Sequence, residues 1–442
     1  MSSREVALAV VRDVFPASGS ERGAQEALDY RSRKADLDAR DRAFATELAY
    51  GAIKMRRALD WYLQPFLGER AAKLPPVIAE VLRLAVYELV YTRADEHATV
   101  FEFVNLAKKH GHKGLVGLTN AVLRSFLRER PMDPAPDLFE DLDEYLGVAH
   151  SLPTWIVRQW RAQFPDRVAE ICAGVNAPPQ SAITVNALQT SDEGIAKPFE
   201  DAGVQLLQSP FVAESLLASE AAFVRANERA AAGAWFAQSE SSAMPVAILN
   251  PQRGEAVLDV ASGRGNKAIQ IGARMNGEGS LVCIEREARK VAVLQERLDE
   301  AGVIAAIVTG DATTDLLPAS QRFDRILVDA PCSGIGVLGR HPEARWRKRP
   351  DDGARLAAVQ GAILDAVATH AHEGAAIVYA VCSTDRREGA EVVDAFLRRH
   401  DFSRGLIPAA FEQFLTPEGD VLVPPGIDGR DGFFIARMER RQ

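Results

Sequence analysis

Two of the four cysteines in this 442-residue chain stand where apolar runs give way to turns. Cys332 lies in Asp329-Ala-Pro-Cys332-Ser-Gly334 and Cys382 in Tyr379-Ala-Val-Cys382-Ser383-Thr384, both flanked by turn formers and hydroxyls. At the carboxyl end of a strand, the N–H groups of a following helix stabilise a thiolate and leave it open to a substrate. Cys172 and Cys283 read instead as inert small hydrophobes, Cys283 inside a strand with no polar companion. The four are 111, 49 and 50 residues apart with no Cys-x-x-Cys pair, which fits neither a disulfide framework nor a zinc cluster. The pairs His110/His112 and His370/His372 lack further ligands nearby, so no metal is expected.

The other strand ends suggest a nucleoside cofactor. Val257-Leu258-Asp259-Val260 runs into Ala261-Ser262-Gly263-Arg264-Gly265-Asn266-Lys267, where small residues admit a ligand to the backbone and the next helix offers N–H donors. Glu285 ends the following run, twenty residues after Gly265, the spacing of a carboxylate that accepts ribose hydroxyls. Asp311 follows the third run and Asp329 ends the fourth. Gly263 to Ala268 also fits the dinucleotide fingerprint, which keeps a nicotinamide-dependent oxidoreductase open but leaves the strand-end thiols unexplained. Two thiols and an aspartate beside an adenosine-type pocket suit methylation of carbon 5 of cytosine. That carbon is a poor nucleophile until a thiolate adds at carbon 6. Asp329 would contact the exocyclic amino group and ring nitrogen, and a base must later take the carbon 5 proton.

These residues need a scaffold, and the periodicity supplies one in three parts. Residues 1–135 read as helices, with apolar residues at i, i+3 and i+4 over Arg4–Val14, Ala39–Pro65, Pro76–Tyr91, Val100–His110 and Leu115–Arg130. The proline-rich stretch from Arg130 to Asp137 marks a linker. Residues 136–232 read as a small α/β insert: a helix over Pro153–Gly174, a strand over Ala182–Asn186, and apolar pieces at 204–207 and 221–225. From 233 to 442 strands alternate with helices (Ala256–Val260, Ser280–Glu285, Ala305–Val308, Arg325–Asp329, Ala375–Tyr379), which implies a parallel sheet covered on both faces. Gly432–Arg437 adds a last strand.

Composition agrees with an ordinary folded chain of 47% hydrophobic and 26% charged residues. No apolar run approaches the ~20 residues of a membrane span, and the amphipathic start has no cleavage site, so a cytoplasmic protein is expected. The net charge of -9 argues against nucleic acid at first sight. Its distribution says otherwise: residues 1–130 hold 21 Lys/Arg against 17 Asp/Glu, whereas 131–232 hold 6 against 15. Beyond Cys332, the run from Arg340 through Arg345, Arg347, Lys348 and Arg349 surrounds Trp346 with five basic residues, a pattern for RNA phosphate contact and stacking. Nothing demands more than a monomer.

The paired cysteine motifs resemble those of the Fmu/Sun/Nop2 family of RNA cytosine-5 methyltransferases. Arg83-Leu-Ala-Val-Tyr-Glu-Leu and Gly117-Leu-Thr-Asn-Ala-Val-Leu-Arg124 resemble the NusB-like helical RNA-binding domain fused to its bacterial branch, and Pro153-Thr-Trp-Ile-Val, Val185-Asn186 and Asp431-Gly-Phe-Phe434 also match. The resemblance covers nearly the whole chain. It implies a NusB-like all-α domain, the α/β insert and a Rossmann-like domain using S-adenosyl-L-methionine on RNA, most often ribosomal RNA. It makes Cys382 the nucleophile, Cys332 the aid to product release and Asp329 the holder of the base, with Lys267 at the motif lysine. Cofactor contacts would fall on residues 261–267, Glu285, Asp311 and Asp329. The family's Cys-Ala-Ala-Pro-Gly-Gly-Lys-Thr loop is altered here by Arg264, Asn266 and Ala268; asparagine tolerates left-handed backbone better than most residues, so the turn is expected to survive. Its Gln-Asp-x-Ala-Ser element is also altered, to Gln238-Ser239-Glu240-Ser241-Ser242. Transfer RNA as substrate, and a non-catalytic RNA-binding factor, stay open alternatives.

Overall fold

A computed structural model describes residues 1–19 and 21–441. The chain forms two units, Met1–Asn176 with Arg340–Arg347, and Ala177–Gly339 with Lys348–Gln442.

The first unit is built from α1 (Ser3–Val14), α2 (Ala24–Ala35), α3 (Ala39–Lys54), α4 (Arg56–Leu67), α5 (Pro76–Tyr91), α6 (Glu96–His110), α7 (Lys113–Glu129), α8 (Leu142–Ala149), α9 (Thr154–Gln163) and α10 (Val168–Gly174). Ser2 opens α1 through a capping box with Glu5, each side chain accepting the other's backbone N–H. Apolar stripes then meet in a core that includes Val6, Val10, Leu48, Ile53, Leu84 and Phe103. The helix expected over 39–65 is two helices, α3 and α4, meeting at Met55. That expected over 153–174 also divides: Pro165 has no N–H to donate and holds Phe164 out of the helical region, at φ -133° and ψ 61°. Helix α2 lies outside the expected set because its polar sequence turns only Ala24, Ala27, Leu28 and Ser32 inward. The prolines at 131–136 do not end the helical unit. Arg57 of α4 donates to the carbonyl of Leu152 (2.6 Å) and Thr154 Oγ1 (2.9 Å), and Tyr62 donates to Asp133 Oδ1 (2.5 Å). These bonds fasten the following segment to α4, and the unit runs on to Asn176.

The second unit begins with a four-stranded antiparallel sheet of β1 (Ser181–Val185), β2 (Leu206–Gln208), β3 (Ser215–Ala218) and β4 (Trp235–Ala237) in the order β2-β3-β1-β4, with helices α11 (Asp192–Asp201) and α12 (Ala221–Asn227). Phe199, Phe223 and Trp235 cluster under it.

Next come α13 (Glu240–Leu249), β5 (Ala256–Val260), α14 (Asn266–Arg274), β6 (Ser280–Glu285), α15 (Ala288–Glu300), β7 (Ala306–Thr309) and β8 (Phe323–Asp329). The short α16 (Ala344–Arg347) belongs to the first unit. The chain returns as α17 (Asp352–Ala368), β9 (Ala371–Val381), α18 (Ala390–Arg399), β10 (Phe402–Arg404), β11 (Val421–Val423) and β12 (Phe433–Arg440). The sheet order is β10-β12-β9-β8-β5-β6-β7, with β11 on β12. Strands β5 to β9 pair in parallel, whereas β10, β11 and β12 pair antiparallel at one side. Continuous apolar runs such as Ile326–Val328 and Ile377–Val381 are buried, as strands covered on both faces must be. Strand order reverses between β5 and β8, and ligands of such sheets bind beyond the carboxyl ends at that point.

Candidate active site

Asp329 is the last residue of β8 and pairs in register with Ala380 of β9, so the loops bearing Cys332 and Cys382 leave neighbouring strand ends. Their Sγ atoms are 3.2 Å apart. The Cys332 thiol is held well above its ordinary pKa, first by its hydrogen bond to Cys382, then by burial and by the negative charges nearby. At neutral pH Cys332 is therefore a thiol, and either sulfur can donate in the contact between the two. A further tie fixes the spacing: the N–H of Gly336 donates to the Cys382 carbonyl (3.1 Å), and that of Gly432 to the Gly336 carbonyl (2.8 Å). A Cβ on Gly336 would come within 2.0 Å of the Gly432 oxygen, so only glycine allows this approach.

Lys267, in the first turn of α14, reaches the same place. Its Nζ donates to Asp329 Oδ2 (2.7 Å) and Ser242 Oγ (3.1 Å), and the residue is 8% exposed. The altered 238–242 element thus still supplies a partner for the lysine. Asp329, Lys267, Cys332 and Cys382 are the four residues expected to act on substrate, and the ion pair and the thiol pair lie on adjoining strand ends.

The loop after β5 has its own hydrogen-bond order. Ser262 donates from N–H to the Ile284 carbonyl (3.0 Å), and Gly263 N–H to Glu285 Oε2 (2.9 Å). The other Glu285 oxygen accepts from Glu287 N–H (2.8 Å), and each oxygen keeps a lone pair for a ligand hydroxyl. Asp311, exposed on the next loop, accepts from Thr313 N–H (3.0 Å) and Oγ1 (2.8 Å), bonds that hold its pKa below the ordinary aspartate value.

The left-handed positions are Ala261 (φ 60°), Gly263 (φ 59°) and Gly265 (φ 92°), not Asn266. Asn266 starts α14 with its side chain bonded to the Ala237 carbonyl (2.9 Å) and to Arg297. The turn is present despite the altered loop, and Gly265 bears it, where a Cβ would sit 2.7 Å from Leu294 Cδ1. Gly263, by contrast, faces open space apart from its own loop. Four residues earlier, in β5, Asp259 is wholly buried, with neither carboxylate oxygen partnered among the described residues. Burial pushes its pKa up to about 7. An orphaned acid in the strand that leads into an open glycine turn fits a ligand that brings a cationic or N–H donor. Sequence reasoning passed over this aspartate as part of the strand, although an acid inside a continuous apolar run was its signal.

The basic segment is not one surface. Arg345 is fully buried in the first unit, where its Nη1 donates to the Ser151 carbonyl (3.2 Å), Asn176 Oδ1 (2.9 Å) and the Lys54 carbonyl (3.4 Å), and burial lowers its pKa to about 9. Arg347 donates to the carbonyls of Val14 and Arg22 (2.6 Å each) and pairs with Glu21. Trp346 Nε1 donates to the Ile53 carbonyl (2.6 Å). Arg345 and Arg347, expected to contact RNA, instead satisfy carbonyls of the helical unit, whose chain turns leave those acceptors unpaired. Arg340 and Lys348 are half-buried, and Arg349 is exposed.

One group was not anticipated. The serines that follow the two cysteines, Ser333 and Ser383, share the buried carboxylate of Glu388. Its signal was the twice-repeated Cys-Ser pair. Among the described residues no three His, Cys, Asp or Glu side chains gather to hold a metal, and no helix is long and apolar enough to cross a membrane.

The family described as 16S rRNA methyltransferase RsmB/F matches residues 246–439, the NusB family matches 1–128, and the ferredoxin-like domain of RsmF/B-like methyltransferases matches 152–225. The chain is 33% identical over 426 residues to the probable ribosomal RNA small subunit methyltransferase B of Bacillus subtilis, covering 92% of each chain. It is 33% identical over 440 residues to ribosomal RNA small subunit methyltransferase B of Thermus thermophilus, covering 99% of this chain and 97% of that one. The crystal structure of PH0851 shares the fold, with a TM-score of 0.82 at 21% identity over 100% of this chain and 99% of that one.

Proposed function

The chain belongs to the ribosomal RNA small subunit methyltransferase B family, and from that premise we propose that it methylates carbon 5 of a cytosine in 16S ribosomal RNA, with Cys382 as the nucleophile. The observation that carries this reading is the 3.2 Å pair of Cys332 and Cys382 sulfurs at the strand ends next to the Lys267–Asp329 ion pair.

The target base leaves its stack to reach the thiol. Cys382, as thiolate, forms a bond from Sγ to carbon 6, and the electrons of the 5,6 double bond move to carbon 5. Asp329 accepts a hydrogen bond from the exocyclic amino group and so orients the base, and Lys267 holds that carboxylate in place. S-adenosylmethionine, when bound, supplies an electrophilic methyl group at carbon 5. Loss of the carbon 5 proton to a base then re-forms the double bond, the bond from Sγ to carbon 6 breaks, and its electron pair returns to Cys382. Cys332 assists this last step as a thiol that hydrogen-bonds the departing sulfur. Its raised pKa suits a donor and not the base.

For the cofactor, the residues in place are the 261–267 turn, Glu285 for ribose hydroxyls, Asp311 and the buried Asp259 for donor groups. Arg349 and Lys348 supply phosphate contacts. Incubating the protein with S-adenosylmethionine and 16S ribosomal RNA, followed by bisulfite sequencing, tests the reading. One cytosine gains methylation with the native chain and none with Cys382→Ala, while Cys332→Ala accumulates a covalent RNA adduct. Normal methylation by Cys382→Ala would overturn the assignment.

A further inference from the structure

Glu388 is wholly buried, yet it lies six residues beyond Cys382 and outside the residues assigned so far. Its Oε1 accepts the N–H of Ser333 (2.8 Å) and Nε2 of Gln360 (3.1 Å), while its Oε2 accepts Ser383 Oγ (2.6 Å) and Ser333 Oγ. The two serine hydroxyls are themselves 3.0 Å apart. Gln360 Nε2 also donates to the Pro331 carbonyl (2.9 Å), and Ser383 Oγ accepts the N–H of Asp385 (3.1 Å). Tyr379 Oη donates to the backbone carbonyl of Glu388 (2.5 Å), which anchors this residue to β9.

Removing a carboxylate from water is costly unless donors replace the lost hydration. Here four donors do so, and three of them come from the residues directly after the two cysteines. A buried core would be served as well by apolar residues at these positions. An acid and two serines instead give each cysteine loop a hydrogen bond to one common point, and both loops lose their anchor if that point is changed.

We propose that Glu388 is the positioning residue of the thiol pair: its carboxylate fixes the Cys332 and Cys382 loops at working distance and places a negative charge behind Cys332. That charge adds to the causes that keep Cys332 protonated. The proposal rests on the reading of Cys382 as nucleophile.

The test uses the full-length chain and Glu388→Gln, which keeps size while removing charge and one acceptor. Turnover on 16S ribosomal RNA is expected to fall about 100-fold, as displacement of a reacting group by an ångström does, with KM for RNA and for S-adenosylmethionine within about twofold. A second readout needs no methyl transfer. In a Cys382→Ala background, the pH profile for iodoacetamide alkylation of Cys332 is expected to move to lower pH when Glu388→Gln is added. Ser383→Ala, a smaller change that keeps the anion, should lower turnover without moving that profile. Unchanged turnover in folded Glu388→Gln, or a Cys332 profile that does not move, overturns the proposal. If Cys382→Ala itself methylates normally, it is the nucleophile assignment that fails, whereas the alkylation profile still reports on Glu388.

Discussion

Lys267 Nζ lies 2.7 Å from Asp329 Oδ2, joining the first turn of α14 to the end of β8 across the point where strand order reverses. The lysine is nearly enclosed and the aspartate side chain is 31% exposed, so the pair has one face toward any base that enters.

Removing either charge strands the other in a poorly hydrated place. Lys267→Met and Asp329→Asn should each lower turnover at least 100-fold. Their coupling, read by a double-mutant cycle in urea denaturation, should be about 1–3 kcal/mol, below the value for a fully buried pair because Asp329 retains solvent. Additive effects of the two changes would mean that the ion pair contributes nothing to the folded state.

Asp259 gives a prediction in pH. Its folded pKa is raised to about 7 from an ordinary value of 3.8, so between these limits the folded chain keeps a proton that the unfolded chain has lost. Stability of the ligand-free protein therefore falls as pH rises from about 4 to about 7 and is level beyond. Asp259→Asn, which mimics the protonated acid, should match the native chain near pH 4 and exceed it at pH 8, by up to about 4 kcal/mol from the size of the shift. Thermal unfolding at the two pH values measures this. The same variant should bind S-adenosylhomocysteine more weakly in calorimetry, because the negative charge is gone and an NH2 donor replaces one of the two acceptor oxygens. Equal Tm differences at pH 4 and pH 8 would contradict it.

What could be read from the sequence follows from how local each signal is. Strands β5 and β6 were read at their observed limits, because buried parallel strands are short apolar runs closed by turn residues. The thiols and Asp329 were legible for the same reason: each sits at such a closure. Glu388 was not, since its meaning depends on Ser333, 55 residues away, and Gln360, 28 residues away. The basic run at 340–349 misled because a sequence displays charge but not burial. Arg345 carries the same charge as Arg349, yet it is buried among acceptors that include Asn176 Oδ1 and the carbonyls at positions 54 and 151.

Gly336 makes a prediction of the opposite kind, from space and not from charge. Gly336→Ala puts a methyl 2.0 Å from the Gly432 oxygen and 3.0 Å from the Cys382 carbonyl, so one of those backbones must move. Overpacking of this sort costs about 1–3 kcal/mol. Turnover should fall about tenfold to a hundredfold, because the shift is delivered to the peptide of Cys382 itself. A variant with native Tm and native kcat would show that the contact is easily relaxed.

Arg345 and Arg349 separate structural from RNA-binding charge in one experiment. Arg349→Ala should weaken RNA binding and reduce the slope of log K against log salt by about 1, with no change in Tm, since its exposed side chain is free to meet a phosphate. Arg345→Met should leave that slope unchanged. It keeps the volume of the stem but strips the Ser151 carbonyl and Asn176 Oδ1 of a donor, which costs about 1–3 kcal/mol in a buried setting and lowers Tm of the helical unit. Binding isotherms at several salt concentrations, run below the Tm of both variants, provide the comparison. A reduced salt slope for folded Arg345→Met would return that arginine to the RNA-contacting set.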